Sequence, residues 1–321
     1  MSEHADNNRD GLFAATVGLL VIGLFIWPNI KANTYVNTYK EITYANMDPD
    51  SMANMAGEEA EQDPENDYKD TLAQTSTPIL YNIPNRTDNI ILTCKMINET
   101  ILMPGAIFSF NQAVGIRTEA RGFKPAPTFL RGQVVDSVGG GICQVSSTLY
   151  NACLLSNLEI VARTNHSMFA DYVEKPGFDA TVSWDAIDYK FKNNTNCPIK
   201  IFAWVEGEII YVKIMGTKMN DYTVVMESRI LSTTPYQTIY KENPDLAPGQ
   251  TVVVQDPHTG YVVETYRVIK DASGNVINQT LEAKSLYNKT DEIIECNPQS
   301  IPADPPLVSS SPTPEPLNPQ S

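Results

Sequence analysis

Apolar residues recur at helical spacing in two segments of the chain. In the first segment they follow one another at intervals of four, three and four residues: Ile90, Cys94, Ile97 and Ile101. In the second the intervals are three, four and three residues: Ile142, Val145, Leu149 and Ala152. Because residues at these intervals share one face of an α-helix, we predict a helix that begins near Asn85–Arg86 and another that ends near Asn157.

Between and after these helices the pattern changes to that of β-strands. Short apolar runs predict strands at 106–111, 158–163, 180–184, 188–191, 198–204 and 208–215. Beyond residue 220, apolar and polar residues alternate between Gly249, Gly260 and Gly274. We therefore predict an α+β unit at 78–215, with helices packed on a β-meander, followed by an elongated all-β unit at 220–297.

The first part of the chain contains a hydrophobic segment that is long enough to cross a membrane. Residues 11–30 include no charged side chain. At a rise of 1.5 Å per residue, a helix of this length spans roughly 30 Å, the thickness of a bilayer core. We predict an N-terminal transmembrane helix at 11–30, preceded by a cytoplasmic tail at 1–10; a cleaved signal peptide is the alternative.

The net charge of −15 is unevenly distributed along the 321 residues. Residues 41–77 contain ten acidic side chains and one basic side chain. Residues 78–205, by contrast, contain ten acidic and eleven basic side chains. This predicts an acidic tether at 31–77, and the eight prolines after residue 297 predict a disordered tail at 298–321. The charge balance argues against nucleic acid as a partner, and the absence of a Cys-x-x-Cys or His-rich motif argues against a structural zinc site. We predict no metal and no cofactor.

Cys143 stands at the start of the second predicted helix, directly after three consecutive glycines, Gly139 to Gly141. The unpaired N–H groups and the dipole at a helix N-terminus stabilise a thiolate and lower the pKa of the thiol. The same N–H groups can hold the oxyanion that forms when a carbonyl is attacked. The pattern favours an acyl-transferring cysteine, and a buried thiol in a glycine-rich turn is the alternative.

A cysteine nucleophile needs a general base, for which His166 is the best placed of the three histidines. The predicted strand at 158–163 returns from the cysteine helix, so its far end can approach the N-terminus of that helix. An orienting carboxylate could come from Asp171, Asp179 or Asp188, among which spacing does not choose. Our predicted catalytic set is Cys143, His166 and Asp179, with Asp171 and Asp188 as alternatives to Asp179.

A further set of residues is predicted to hold the oxyanion or to bind substrate: Gly140, Gly141, Gln144, Ser146 and Arg117. Arg117 could bind a substrate carboxylate through both arms of its guanidinium group. A surface arginine that packs on its own loop is the alternative. Cys94 and Cys153 are predicted to be buried core thiols, and a disulfide from Cys153 to Cys143 is excluded by their separation of about 15 Å along one helix.

Several motifs resemble the VanW family over residues 78–205. They are NRTDNI (85–90), PGAIFSFNQAVGIRTEARGF (104–123), GGGICQVSSTLYNA (139–152), RTNHS (163–167) and DATVSWDAIDYKFKNNTNCPIKI (179–201). The resemblance implies an extracytoplasmic cell-envelope protein of a Gram-positive bacterium, with peptidoglycan as its partner. Some members of the family have been linked to L,D-transpeptidation, with the cysteine of the GGGICQ motif, here Cys143, as nucleophile.

The second unit, at 220–297, resembles a G-five domain. The resemblance lies in the alternating run TVVVQDPHTGYVVETYRVIKDASGNVINQTLEAKSLY, although Cys296-Asn297 stands where the usual closing glycine is expected. Domains of this kind are elongated, all-β and extracellular, and they accompany wall-binding proteins.

These observations lead to one main hypothesis and two alternatives. The main hypothesis is a single-pass membrane protein, extracellular over most of its length, that acts as a cysteine-dependent L,D-transpeptidase on peptidoglycan stem peptides. One alternative is a cysteine endopeptidase, in which water resolves the thioester. The other is a non-catalytic peptidoglycan-binding or accessory module with a structural thiol. The sequence identifies no protein partner.

Overall fold

The computed structural model describes residues 68–80, 82–130 and 133–301, which form two units. The helices of the first unit are α1 (Pro84–Ile97), α2 (Phe110–Val114) and α3 (Ile142–Leu155). Its strands are β1 (Asp70–Pro78), β2 (Ile101–Leu102), β3 (Ile107–Ser109), β4 (Pro125–Leu130), β5 (Gln133–Val138), β6 (Glu159–Ala162), β7 (Lys190–Lys192), β8 (Ile199–Glu206) and β9 (Ile209–Gly216).

A four-stranded antiparallel sheet in the order β1-β9-β8-β2 forms the base of the first unit. Helices α1 and α3 pack against it. Along β9 the buried positions alternate with partly exposed ones, so Ile210, Val212 and Ile214 all face the core. Smaller sheets, β3-β7-β6 and β4-β5, complete the unit. The predicted α+β arrangement of helices on a β-meander agrees with these elements.

The two predicted helices are present, with one error at an end. Ile90, Cys94 and Ile97 are buried on one face of α1, which begins with Pro84 in its first turn. Ile101 is not part of that helix and lies in β2 instead. Glu99, with φ of 62°, turns the chain away from the helical path before Ile101 is reached. Helix α3 ends at Leu155, close to the predicted stop.

The second unit consists of strands joined by turns, as predicted for 220–297, and a short 3-10 helix at Pro298–Ser300 follows the last strand. Its strands are β10 (Thr223–Thr234), β11 (Thr238–Glu242), β12 (Thr251–Gln255), β13 (Gly260–Lys270), β14 (Val276–Tyr287) and β15 (Glu292–Cys296). One sheet has the order β10-β13-β14 and is antiparallel. The other has the order β11-β15-β12, in which β11 and β15 run parallel.

The predicted boundary of the acidic tether at residue 77 is wrong. Residues 70–78 form β1, which pairs with β9 from Asp70 opposite Gly216 to Pro78 opposite Ile209. The segment contains few apolar side chains, and so its pattern gave no strand signal. Its place in the sheet depends on backbone hydrogen bonds to a strand that lies more than a hundred residues away.

The predicted strand at 180–184 is also wrong. This segment lies against α3, and hydroxyl groups on that helix bond its backbone at Ala180. The Thr181 N–H donates to the Thr164 carbonyl at 2.8 Å, and one isolated bridge joins Ser183 to Ile187. Side chains of a helix therefore replace the neighbouring strand that the alternating pattern implied.

Some predicted segments lie outside the described residues. These are the cytoplasmic tail at 1–10, the transmembrane helix at 11–30, the tether up to residue 67 and the tail beyond residue 301. Within the part of the chain that is described, none of the helices combines the length and the apolar character that crossing a bilayer requires.

We expect β1 to be essential for the stability of the first unit. A chain that begins at Lys69 retains this strand, whereas a chain that begins at Ile79 lacks it and leaves β9 as an unpaired sheet edge. The shorter chain also lacks the Thr77 and Pro78 oxygens that the Gln144 side chain contacts. We expect its unfolding free energy to fall by more than about 4 kcal/mol. Equal melting temperatures of the two chains by circular dichroism would contradict this role.

Candidate active site

Cys143 lies in the first turn of α3, where the backbone requires glycine at the two preceding loop positions. Gly141 is the N-cap residue and has φ of 101°, in the left-handed region that disfavours a side chain. A Cβ at Gly140 would overlap the backbone of Ala126 and Pro127. The glycine loop therefore lets the chain pass close to β4 and enter the helix with Cys143 partly exposed at its positive end.

The extended segment after Asp179 contacts the Cys143 thiol directly. The Val182 N–H points to the sulfur at 3.5 Å, and the thiol points to the Val182 carbonyl at 3.4 Å. Ser147 fixes this arrangement, because its hydroxyl accepts from the Ala180 N–H at 2.9 Å and donates to the Cys143 carbonyl at 2.7 Å. The Cys143 thiol is thus held between its own helix and the segment that follows Asp179.

His166 and Asp179 form a close pair next to the thiol. The Nδ1 atom of His166 lies 2.6 Å from Oδ2 of Asp179, and the His166 backbone N–H donates to the same oxygen at 2.6 Å. This leaves Nε2 as the ring nitrogen available to the neighbouring Cys143 thiol, with which the His166 side chain interacts. Tyr172 also approaches Nε2, with its hydroxyl at 3.4 Å. The three predicted catalytic residues therefore lie in one chain of contacts.

The Asp179 carboxylate is completely buried and is surrounded by donors. One arm of the Arg163 guanidinium reaches Oδ1 at 3.0 Å, and its Nε donates to the Asp179 carbonyl at 2.6 Å. The Tyr287 hydroxyl, from the second unit, donates to the same Oδ1. Burial raises the pKa of Asp179, but the hydrogen bond and charge of His166, followed by the charge of Arg163, hold it below its usual value.

The electrostatics favour a thiolate–imidazolium pair. Burial raises the pKa of Cys143, but the hydrogen bond and charge of His166 and the contact with Val182 lower it below the ordinary value. Burial lowers the pKa of His166, but hydrogen bonds and charges of Asp179 and Cys143 raise it to about 10. Cys94 shows the effect of burial alone, which raises the pKa of that core thiol to about 12. The activation of Cys143 thus comes from its partners.

Of the three candidate carboxylates, Asp179 is hydrogen-bonded to the His166 ring. Asp188 accepts from the Ser109 hydroxyl at 2.6 Å and from the Asn111 N–H at 2.9 Å, and so it caps the start of α2. Asp171 is exposed. Asp179 is therefore the candidate for the orienting carboxylate that the geometry favours, a choice that the sequence spacing left open.

Three of the predicted oxyanion and substrate-binding residues are hydrogen-bonded to other parts of the protein: Gly140, Gln144 and Ser146. The Gly140 N–H donates to the Ser137 carbonyl at 3.1 Å. The Gln144 side chain accepts from Arg86 at 2.7 Å and donates to the Pro78 carbonyl at 2.7 Å, and its N–H is bonded to Gly141. These contacts assign Gln144 to the packing of α3 in place of the predicted substrate contact.

The same correction applies to Ser146, whose fully buried hydroxyl donates to the Ala180 carbonyl at 2.7 Å. The N-cap residue Gly141 remains a candidate oxyanion donor.

Arg117 lies between two aromatic rings near the thiol. Its guanidinium carbon is 5.9 Å from the centre of the Phe110 ring and 5.8 Å from that of Trp184. All three guanidinium nitrogens are buried and have no hydrogen-bond partner among the described residues. Burial lowers the pKa of Arg117 to about 10, although the charges of Cys143 and Asp188 act to raise it. It is therefore a cation at neutral pH without a bonded anion.

Sequence reasoning missed several residues that shape the site. Arg163 stands in the RTNHS segment three residues before His166, directly after β6, and a charged residue at the end of the apolar run Ile160–Ala162 was a usable signal. Tyr172 and Ser147 carried no distinguishing pattern. Tyr287 lies 108 residues from Asp179 in another domain, and so no local pattern could have linked the two.

We expect Cys143 to be alkylated rapidly at about pH 6. Its thiolate persists below the usual thiol pKa of about 8.5, because His166 stays protonated up to about pH 10. Iodoacetamide labelling, quantified by mass spectrometry of the Cys143 peptide, should be about tenfold faster than labelling of a simple thiol. His166→Asn should remove this advantage. A labelling rate that follows pH as an ordinary thiol does in the unmodified protein would contradict the ion pair.

Comparisons with known proteins agree with the two-unit organisation. Residues 85–215 match the family described as VanW like protein, and residues 223–298 match the family described as G5 domain. Two solved structures align with the second unit at low similarity. The IgA1 protease G5 domain structure covers 25% of this chain and 96% of its own, with 22% identity and a TM-score of 0.17. The match to the crystal structure of HP0197-G5 covers 24% of this chain and 97% of that structure, with 16% identity and a TM-score of 0.15.

Two curated proteins are similar in sequence. The uncharacterized protein YoaR of Bacillus subtilis is 49% identical over 119 residues, and the match spans 37% of this chain but only 39% of YoaR. The vancomycin B-type resistance protein VanW of Enterococcus faecalis is 26% identical over 222 residues, which is 68% of this chain and 72% of that protein. VanW and G5 domains together indicate a cell-wall-associated protein. The chain therefore contains a VanW domain at 85–215, followed by a G5 domain at 223–298.

Proposed function

We propose that this protein is a cysteine-dependent L,D-transpeptidase that acts on the stem peptides of peptidoglycan. The observation that carries the proposal is the chain of contacts from Cys143 through His166 to the buried Asp179 at the N-terminus of α3. A nucleophile, a base and an orienting carboxylate in contact are the elements that acyl transfer requires. The cell-wall association of the two domains supports peptidoglycan as the substrate.

In the first half-reaction, the Cys143 thiolate attacks the carbonyl carbon of the third residue of a donor stem peptide. A C–S bond forms and the carbonyl oxygen becomes an oxyanion, which the positive end of α3 and the Gly141 N–H stabilise. As the intermediate collapses, the C–N bond breaks and the His166 imidazolium gives its Nε2 proton to the departing amine. The donor is then held as a thioester on Cys143.

In the second half-reaction, an amine of an acceptor stem attacks the thioester. Neutral His166 accepts the proton of that amine, a new amide bond forms and the C–S bond breaks. The Cys143 thiolate is restored, and the imidazolium again stabilises it. Asp179 holds the His166 ring in one orientation and stays ionised throughout, because its donors keep its pKa low.

Arg117 is proposed to bind a carboxylate of the donor stem. A buried guanidinium with no bonded partner is costly, since each unsatisfied polar group loses its hydration without replacement. A substrate carboxylate at this position would supply the missing acceptors. Trp184 covers the guanidinium and is 44% exposed, so its ring is proposed to move when the carboxylate enters.

The proposed location is the outer face of a bacterial membrane. Residues 11–30 would serve as a single-pass anchor, and the acidic segment up to residue 67 as a spacer that holds the two domains away from the bilayer. The support for this part of the proposal is the apolar composition of 11–30 and the wall association of both domains.

We expect the soluble chain from Lys69 onward to join purified muropeptides into crosslinked dimers. Mass spectrometry of the products distinguishes transfer, which gives dimers, from hydrolysis, which gives shortened stems. Cys143→Ala should lower product formation by about 10³-fold or more, because the nucleophile is removed. Cys197→Ala is the matched control, since Cys197 is also a partly exposed free thiol. If shortened stems form in place of dimers, the reaction is hydrolysis and not transfer. If the muropeptides stay unchanged with both the unmodified protein and Cys143→Ala, the result favours a binding module.

We expect Arg117→Met to weaken donor binding without weakening the fold. The methionine side chain can keep the packing between Phe110 and Trp184, while the charged hydrogen bonds to the donor are lost. Bonds of this kind contribute about 1.5–3 kcal/mol, which corresponds to a KM about 10 to 100 times higher. The melting temperature should stay the same or rise, because an unpaired buried charge is removed. An unchanged KM together with a lower melting temperature would assign Arg117 a purely structural role.

A further inference from the structure

The G5 domain covers the loop that carries His166. The Asn288 N–H donates to the Ser167 carbonyl at 2.7 Å, and the Asn165 side chain donates to the Leu286 carbonyl at 2.8 Å. At the other end of the loop, the Ser228 hydroxyl donates to the Pro176 carbonyl at 2.6 Å. The loop is therefore bonded at both ends to strands of the second unit or to the turn that follows them.

Two further contacts show how closely the domains pack here. The ring of Phe169 stands edge-on to the rings of Tyr261 and Tyr287, with centroids 6.1 Å and 6.2 Å away. Gly177 has φ of 99°, and a Cβ at this position would overlap the Thr265 hydroxyl. A glycine is needed at this position because the G5 domain approaches the backbone directly.

Strand β14 reaches the orienting carboxylate by two routes. The buried Tyr287 hydroxyl accepts from the Gly177 N–H at 2.7 Å and donates to Oδ1 of Asp179. The buried Ser285 hydroxyl accepts from Nη1 of Arg163 at 2.7 Å, and Nη2 of that arginine lies 3.0 Å from the same Oδ1. Of the two side chains that contact Oδ1 of Asp179, Tyr287 is part of the G5 domain and Arg163 is hydrogen-bonded to it through Ser285.

We infer that Tyr287 of the G5 domain is a positioning residue of the candidate site, so that the site is complete only when the two domains are docked. The inference rests on the proposed function of Cys143, His166 and Asp179. Tyr287 does not touch the thiol or a substrate, and it acts by fixing the direction of the Asp179 carboxylate. Without its hydroxyl, Oδ1 would keep only the contact with Arg163, and the carboxylate could turn away from the two His166 N–H groups.

The test is Tyr287→Phe in the otherwise complete chain, which removes the hydroxyl and keeps the ring against Phe169. The readout is the pH dependence of Cys143 alkylation by iodoacetamide. A less well-held Asp179 stabilises the imidazolium less, and so the midpoint of the profile should move upward by about one pH unit. At pH values below the midpoint, this corresponds to a labelling rate about tenfold lower. Tyr261→Phe is the matched control, because Tyr261 packs on the same ring of Phe169 but does not contact Asp179.

A second variant covers the case in which Tyr287→Phe lowers the melting temperature. Ser285→Ala removes only the acceptor for Arg163, and it should move the midpoint in the same direction by a smaller amount. An upward shift in either variant, with Tyr261→Phe unchanged, supports the positioning role. Profiles that superimpose on that of the unmodified protein, or that move downward, overturn it. This readout needs no substrate, and so it decides the role of Tyr287 even if muropeptides are not turned over and the proposed reaction is wrong.

Discussion

The buried carboxylate of Asp179 is the constraint around which the rest of the site is arranged. An ionised carboxylate removed from water is tolerated only when hydrogen-bond donors and opposite charge replace its hydration. Here the donors come from the His166 loop, from Arg163 at the end of β6 and from Tyr287 on β14. Because these donors come from different parts of the chain, satisfying this one charge fixes the relative position of the histidine loop, the end of β6 and the second domain.

The position of the Cys143 thiol depends on a second arrangement, in which side chains of a helix take the place of a neighbouring strand. The segment that begins at Asp179 has no neighbouring strand on the side of α3, and hydroxyls of that helix satisfy the backbone at Ala180 instead. This brings the Val182 backbone to the Cys143 sulfur. The polar side chains of α3 can therefore be buried, because they make the hydrogen bonds to the Ala180 backbone that a neighbouring strand would otherwise make.

The pKa of each cysteine thiol depends on the side chains that contact it more than on how deeply it is buried. Cys94 and Cys153 are both buried, and burial raises the pKa of both thiols. Cys143 differs because a protonated imidazole, itself held by a carboxylate, faces its sulfur. The net charge of the whole chain has no bearing on this, because the VanW domain is nearly neutral and the acidic excess lies mostly in the segment before it.

The sequence by itself determined the features that depend on near neighbours. Apolar spacing located α1 and α3, and three glycines before Cys143 placed that residue at a helix start. The tertiary structure alone decided which carboxylate faces His166, that the Gln144 and Ser146 side chains point inward, that β1 joins the sheet and that Tyr287 reaches Asp179. The physical reason is the same in each case. Local periodicity reports which face of an element is buried, whereas these contacts join polar groups that are far apart in sequence, and only the complete packing of both domains brings them together.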